Sequence, residues 1–255
     1  MAALLIQQPE TLSLLGEPLF APSLTKAERR KAEADFAATH TAYEQQPNDP
    51  AAVLAFARAT LAVGHVGDAL EVLTRALERK QDDAPLLEER GHGFIVIRKF
   101  AIAERDLRKA AATLPEARCT LAFALYLQAQ FAPSREAYKA CAEPGVFATL
   151  ADRRATPGTA ATTPSATAPV EPAIRFPGAA PAPKPKLKAR EATQSIEDHY
   201  VAAIERLLAG DVDTAREQLK TIVEKHRKND WMEAGYIAAE ADYAKLYKPP
   251  RKKRG

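Results

Sequence analysis

The sequence predicts an all-α protein built from stacked helical hairpins, on the strength of its composition and an internal repeat. Hydrophobic residues make up 46% of the 255 residues, but aromatic residues only 7%. Ala and Leu, which are among the strongest helix formers, dominate the apolar set, and the β-branched and aromatic runs typical of strands are scarce. Segments of similar length and pattern then recur along the chain, as in proteins made of repeated helical pairs.

The repeat is clearest over residues 50–117. Residues 50–83 consist of an Ala- and Leu-rich helix, a short break and a second amphipathic helix, and residues 84–117 repeat this order at the same length. Ala57 and Gly91 stand at the same offset in the two copies, because only small side chains fit where two helices cross closely. The register continues from Pro115, shifted by about two residues, with Ala122 in the equivalent place.

Residues near the C-terminus carry a resemblance to a known family. Trp231, Ala234, Gly235 and Ala238 follow the first-helix spacing of the tetratricopeptide repeat, or TPR, and residues 195–229 resemble a complete repeat. The segments ERGHGFIVIRK and GYIAAEADYAKL are similar to bacterial proteins of this class. The resemblance implies a right-handed superhelical solenoid of about four helical pairs that binds other proteins and has no catalytic activity.

Composition divides the chain into five segments. Residues 1–24 are predicted to be extended, residues 25–150 to form TPR-like repeats behind a capping helix, and residues 151–190 to be a disordered linker rich in Pro, Ala and Thr. Residues 191–247 are predicted to form a final repeat and a C-terminal capping helix. Because one repeat is not stable alone, we expect this block to pack back onto the first. Residues 248–255 form a basic tail.

The charge distribution argues against a nucleic-acid surface on the folded body. The net charge is +3, but residues 196–247 carry seven Lys and Arg against eleven Asp and Glu, and the positive charge lies in the linker and the tail. The tail residues are Arg251, Lys252, Lys253 and Arg254. They suggest an alternative function, in which the linker and tail associate weakly with nucleic acid or an anionic membrane in a salt-sensitive way.

Motifs of catalysis, phosphate binding and metal binding are absent from the sequence. None of the common nucleophile, zinc-protease or phosphate-loop patterns occurs, and the five histidines are dispersed without metal-ligand spacing. The repeat register places the run of residues 91–93, Gly-His-Gly, inside a helix, where glycine permits close packing. We therefore predict no enzyme activity, no metal and no cofactor.

The resemblance also predicts a binding groove, because the first helix of each TPR pair lines the concave face. Counting helical faces from the small packing residues places three residues of each first helix in this groove. They are Leu54, Arg58 and Leu61, then Glu88, His92 and Ile95, then Cys119, Phe123 and Tyr126. A protein or peptide is the expected partner. The alternative is that these positions only face solvent or are covered by the linker.

Two charged positions refine this expectation. TPR proteins that hold the acidic C-termini of heat-shock chaperones use Lys, Asn and Arg on this face, whereas here only Arg58 is basic and Glu89 would repel a carboxylate. That partner is therefore not expected.

Arg90 stands where the family usually has a core Leu, so it needs a buried partner, for which Glu104 and Asp106 are the candidates.

The cysteines and the N-terminal residues bear on location. Cys119 and Cys141 are 22 residues apart, and we expect them to be two buried thiols, with a disulfide as the less favoured alternative. No apolar run approaches the roughly 20 residues of a membrane span. The first 20 residues contain no basic residue and are interrupted by Pro9 and Pro18, so they do not read as a secretory signal. The expected location is the cytoplasm, or outside it if a signal peptide has been removed.

Overall fold

The computed structural model describes residues 8–156 and 194–247. Within these two ranges, helices contain 71% of the residues, and a single short hairpin pairs Thr11–Leu12 with Pro18–Leu19. The predicted all-α class is therefore confirmed for this part of the chain. In chain order the helices are α1 Lys26–Gln45, α2 Pro50–Ala62, α3 Val66–Arg79, α4 Ala84–Val96, α5 Phe100–Ala111, α6 Ala117–Leu127, α7 Phe131–Lys139, α8 Gly145–Ala155, α9 Ile196–Leu208, α10 Val212–His226 and α11 Ala234–Leu246.

The starts of several helices follow from local capping. The Asp49 carboxylate accepts hydrogen bonds from the first backbone N–H groups of α2, and Asp83 does the same for α4. Proline follows within the first turn of each helix, where its missing N–H costs nothing. In α9, Ser195 and Asp198 form a reciprocal capping box. These signals lie within a few residues of the helix they start, which makes them readable from sequence.

The helices pack in chain order, each against the next, and α2, α4, α6 and α8 also contact one another in turn. Close crossing depends on glycine in α4. A Cβ atom on Gly91 would lie 2.6 Å from Leu107 Cγ in α5, and one on Gly93 would lie 2.8 Å from Leu70 Cδ2 in α3. Both glycines stand inside the helix, as predicted, so the Gly-His-Gly run serves packing.

The predicted partner of Arg90 is present. Its Nε donates to Asp106 Oδ2 at 2.7 Å, and its Nη2 donates to Asp106 Oδ1 at 2.9 Å. Both residues are largely buried between α4 and α5. A bidentate pair of this kind satisfies both charges away from water. The prediction of a pair with Asp106 or Glu104 is therefore confirmed for Asp106.

The N-terminal segment is a folded hairpin, which corrects the expectation that residues 1–24 are simply extended. Glu10 Oε2 accepts a hydrogen bond from the Val66 backbone N–H at 3.2 Å, so the segment contacts the turn between α2 and α3. Gly64 in that turn has φ +88° and lies against Pro22. The hairpin forms because Ser13 and Glu17 bond across Gly16, which has φ +83°. Residues 1–7 lie outside the described part.

The C-terminal block packs against the earlier helices through α9 and α11. α9 contacts α8, and α11 contacts α6, α9 and α10. All ten residues from Ala234 to Tyr243 are buried, so α11 is a central helix, not the predicted capping helix. Its residues allow this because most are small or apolar, and its two buried acids each have an arginine partner, Arg98 for Glu240 and Arg154 for Asp242.

The start of the predicted linker is also corrected. α8 runs to Ala155, so residues 151–155, which the composition assigned to the linker, are helical. Arg153 and Arg154 in this last turn pair with Glu205 in α9 and Asp242 in α11. Two arginines beside a Pro- and Thr-rich stretch gave no sign in sequence of these distant partners. Thr156 ends the described part on this side, and residues 157–190 of the predicted linker and the whole basic tail, 248–255, lie outside it.

Cys119 and Cys141 form a disulfide, which overturns the expectation of two separate thiols. Cys119 lies in the first turn of α6 and Cys141 follows the end of α7, and their Cα atoms are 5.0 Å apart. The antiparallel packing of α6 on α7 brings the start of one helix beside the end of the other. The spacing of the two cysteines in sequence did not reveal the disulfide, because their approach depends on where the turn between α6 and α7 falls.

None of the helices in the described ranges combines the length and the hydrophobicity that crossing a membrane requires.

Candidate functional site

The nine predicted groove residues lie on α2, α4 and α6, three on each helix. Residues spaced by four and three positions share one face of a helix, and the three helices contact one another in order. Direct bonds join these faces. Arg58 on α2 reaches Glu89 on α4, and Thr120 on α6 reaches Glu88 on α4. The structure thus brings the faces of the three helices together as one surface.

Five of the nine residues are nevertheless buried, and the expectation that they anchor a partner is wrong. Leu61, Ile95 and Tyr126 belong to a core cluster that also contains Leu19 of the N-terminal hairpin and much of α11. Packed within this core, the three side chains are inaccessible. Among the described residues, α11 contacts α6, and the hairpin bonds to Val66 at the start of α3.

Phe123 has no exposed surface, and its ring centroid lies 4.7 Å from that of Phe147 in α8. This contact comes from α8, whose last five residues the composition had assigned to the linker. His92 is 6% exposed and its Nδ1 lies 3.7 Å from Glu89 Oε1. Both residues are therefore part of the interior packing of α4, α6 and α8, and neither is a surface anchor.

The rest of this surface runs along the same three helices, with partly exposed side chains above buried ones. We call it the polar strip, and define it as Leu54, Arg58, Glu88, Glu89, His92 and Thr120. Leu54, Arg58 and Glu88 are partly exposed, whereas the other three form its floor. Cys119 also borders the strip, but its sulfur is committed to the disulfide.

A buried carboxylate organises the floor of the polar strip. Glu89 is 1% exposed, and its Oε2 accepts a hydrogen bond of 2.6 Å from Arg58 Nε. A buried carboxylate of this kind needs a paired cation, because an isolated charge is strongly disfavoured away from water. Arg58, with 32% of its side chain exposed, is therefore held in place by Glu89. Sequence reasoning treated Glu89 only as a repulsive charge and missed this pairing across two helices.

Glu88 is the acidic group at the surface of the strip. Within the described residues, the hydrogen bond to its carboxylate comes from Thr120 Oγ1, at a long 3.4 Å. Burial raises the pKa of Glu88, and the neighbouring Glu89 raises it further, while Arg58 and Thr120 act in the opposite direction. A raised pKa means that folding shifts Glu88 towards its protonated form relative to the unfolded chain. When ionised, Glu88 is a partly buried carboxylate whose charge the surrounding groups only partly compensate.

A second polar cluster lies deeper, where four helices meet. Tyr126 OH and Tyr200 OH are 2.8 Å apart, and Tyr200 donates to Asp242 Oδ2 at 2.7 Å. Arg154 Nη1 donates to the same Asp242 oxygen at 2.6 Å and to Tyr126 OH at 3.0 Å. We call these four residues the tyrosine network. It joins α6, α8, α9 and α11, and so connects the chain on both sides of residues 157–193.

The charges of the tyrosine network are well defined. Burial raises the pKa of Tyr126 to about 12, so both tyrosines stay protonated as hydrogen-bond donors. Burial also works to raise the pKa of Asp242, but the hydrogen bonds and the charge of Arg154 outweigh it and hold that pKa below its ordinary value. The network is therefore an ion pair completed by two phenols. With all its groups engaged and buried, it has the character of a structural connection.

A third cluster ties the N-terminal hairpin to α11. Arg98 Nε donates to Glu240 Oε2 at 2.8 Å, and Arg98 Nη2 donates to the Trp231 backbone carbonyl at 2.8 Å. Glu240 Oε1 accepts a 2.5 Å hydrogen bond from the Leu14 N–H. The Trp231 indole N–H in turn donates to the Phe20 carbonyl at 2.7 Å. This cluster explains why α11 tolerates a fully buried glutamate.

The described residues contain no group of three or more His, Cys, Asp or Glu that could hold a metal ion. A cavity of about 250 Å³ lies between α9 and α10, with His199, Gln218 and His226 in its wall. Each histidine uses its Nδ1 internally: His199 bonds the Ser195 carbonyl, and His226 bonds Asp230. Two histidines without a third ligand do not constitute a metal site.

Comparison with models of known protein families finds no match to this chain. Comparison with curated proteins finds none either. The resemblance to TPR proteins thus remains a prediction from the residues, and the function has to be argued from the geometry of the polar strip.

Proposed function

We propose that this protein is a TPR-like, non-catalytic binding module, a right-handed solenoid that holds a segment of a partner protein across α2, α4 and α6. The observation that carries the proposal is Glu88, a partly exposed carboxylate with one long hydrogen bond, beside a buried acid and an arginine held rigid by that acid. A site of this kind is pre-organised, because its side chains are fixed before the partner arrives.

The polar strip favours a partner with a positive group and an adjoining apolar side chain. Arg58 is already paired with Glu89, so the strip presents Glu88 as its uncompensated charge. Lys or Arg of a partner would supply the hydrogen bonds that Thr120 only partly provides, in a setting where partial burial strengthens the interaction. Leu54, four residues and about one helical turn before Arg58, provides apolar contact next to it.

Two variants of the protein that each carry one photocrosslinking residue test this proposal. One carries a photoreactive phenylalanine analogue at Ala55, an exposed position on α2 between Leu54 and Arg58, and the other carries it at Glu78, an exposed position on α3. We expect irradiation in the natural host to yield a discrete adduct from position 55 and none of the same mass from position 78. Identical adducts from both positions, or none from position 55, would contradict the proposal.

The variant Glu88→Gln separates binding from folding. Because the pKa of Glu88 is raised on folding, its contribution to stability is present at acidic pH and is lost as pH rises through that pKa. The neutral glutamine should therefore keep or raise the melting temperature at pH 7, yet reduce the yield of the position-55 adduct several-fold. A variant that is as stable as the wild type but captures less partner cannot be explained by unfolding. An unchanged yield would remove Glu88 from the site.

Arg58→Ala is a poor substitute for this test, because it leaves the buried Glu89 without its cation.

Salt dependence distinguishes the alternative function. Capture that disappears at moderate salt, and also on deletion of residues 248–255, would favour the adaptor that acts through the basic tail.

A further inference from the structure

The disulfide between Cys119 and Cys141 lies in the pair α6 and α7, the two shortest helices between α2 and α7. The α6 helix begins at Ala117, and Glu116 before it makes no side-chain cap hydrogen bond; α7 is only nine residues long and also lacks a side-chain cap. By contrast, Asp49 and Asp83 cap the first helices of the two preceding pairs. Short, uncapped helices are marginal and depend on tertiary support.

We propose that the Cys119–Cys141 bond is a native structural disulfide, introduced by a thiol oxidoreductase, and that the protein therefore matures in an oxidising compartment. In this step each thiol loses a proton, the two sulfurs join, and the two electrons reduce a disulfide of the oxidoreductase to a dithiol. The proposal favours the exported alternative over the cytoplasm. It does not depend on the binding function proposed above.

The placement of the two cysteines supports a structural role. The bond joins Cys119 in the first turn of α6 to Cys141, two residues after the end of α7. It therefore links the two helices at the end of the pair opposite the turn at residues 128–130. Cys141 is buried. Disulfides of this kind persist where the surroundings are oxidising, whereas reducing compartments keep such cysteines as free thiols.

A competing role in metal binding lacks support. Thiolates that bind zinc occur with two further ligands or more, and the described residues contain no such group around either cysteine. The sulfurs are also bonded to each other. The two cysteines are the only ones in the sequence, so neither has another partner within the chain.

The first experiment counts thiols in the protein as the cell makes it. Cells that naturally produce it are quenched in acid, denatured, and treated with a maleimide polymer that adds a fixed mass to each free thiol. We expect no shift without prior reduction and two adducts after reduction. Because the chain has two cysteines, the result is unambiguous. Two adducts without reduction would overturn the proposal.

The second experiment measures what the bond does. A cross-link closing a loop of this length is expected to lower the unfolding equilibrium constant on the order of a hundredfold, so reduction of the full chain should shift its denaturation midpoint to clearly lower denaturant. The variant Cys119→Ser/Cys141→Ser should unfold like the reduced wild type and should not respond to reductant. Equal midpoints for the oxidised and reduced wild type would overturn the structural role.

Discussion

Single buried charges connect distant parts of this chain. Asp242 is 4% exposed and its carboxylate accepts hydrogen bonds from Arg154 and Tyr200, which come from helices on opposite sides of residues 157–193. Such a pair contributes little compared with apolar residues of the same shape, but loss of one partner leaves an uncompensated charge in the interior. The strongest predictions at the residue scale therefore concern one-sided substitutions.

Asp242→Asn should destabilise the protein at neutral pH by about 3–5 kcal/mol, because Arg154 then lacks a counter-charge. The pKa of Asp242 in the folded state lies below its ordinary value of 3.8. Its contribution to stability is therefore fully present above about pH 3.8 and is lost as pH falls through the lowered pKa. Urea unfolding from pH 7 down to pH 3 should show a difference from the wild type that shrinks with acidity.

The matched control for this substitution is Asp213→Asn, which alters an ion pair with Arg216 in which the Asp213 side chain is 87% exposed. Its effect should stay below about 1 kcal/mol at every pH. If the two variants behave alike, or if the effect of Asp242→Asn does not depend on pH, the ion pair is not what holds these helices together.

At the scale of helices, the crossing of α4 and α5 is set by one missing side chain. Gly91→Ala places a Cβ atom 2.6 Å from Leu107 Cγ, and Leu107 is fully buried, so either the helix or the leucine must move. Overpacking of this kind costs about 1–3 kcal/mol. We expect a correspondingly lower melting temperature, despite the better helix propensity of alanine.

Gly67→Ala is the natural comparison, because Gly67 lies in α3 and a Cβ atom there meets nothing within 4 Å. It should leave stability unchanged or raise it by up to about 1 kcal/mol. If both alanine variants were stabilised, the close approach of Leu107 to Gly91 would not limit the packing of these helices.

Much of the packing within each helical pair could be predicted from sequence. The small residues at positions 57 and 91, the capping aspartates and the helix-internal run of residues 91–93 act within one helical pair, and local patterns report them. The pair of Arg90 with Asp106 was predictable because only 16 residues separate the partners. The disulfide was not, since the length of the turn between α6 and α7 decides whether the two sulfurs meet.

At the scale of the whole molecule, the contacts of the N-terminal hairpin with α11 and Trp231 join the first described residues to the last described helix. Trp231 is fully buried beside the hairpin and is the sole tryptophan of the sequence, so its fluorescence reports this contact. Deletion of residues 1–20 should shift its emission to longer wavelength under native conditions, because the indole loses the Phe20 carbonyl and gains water.

Leu12→Ser provides the control for this deletion, since Leu12 belongs to the hairpin but is 56% exposed and should leave the emission unchanged. A deletion variant with the emission of the intact protein would show that α11 keeps its place without the hairpin.

By itself, the sequence determined the helical class, most helix starts in the first two pairs, the close crossings at small residues, and the position of Arg58 and Glu88 on neighbouring helices. Each of these follows from backbone propensity, capping or periodicity, which operate over a few turns of helix.

Only the tertiary structure decided which face of those helices remains open. His92, Ile95, Phe123 and Tyr126 share the periodicity of groove residues, yet all four are buried. Phe147 of α8 packs on Phe123 and Tyr126, and Ile95, Phe123 and Tyr126 share one core with α11 and with Leu19 of the hairpin. Leu19 and Tyr126 are more than one hundred residues apart in sequence but belong to one core. Helical periodicity shows that a face is shared, but whether partner, solvent or the chain itself covers that face depends on long-range packing.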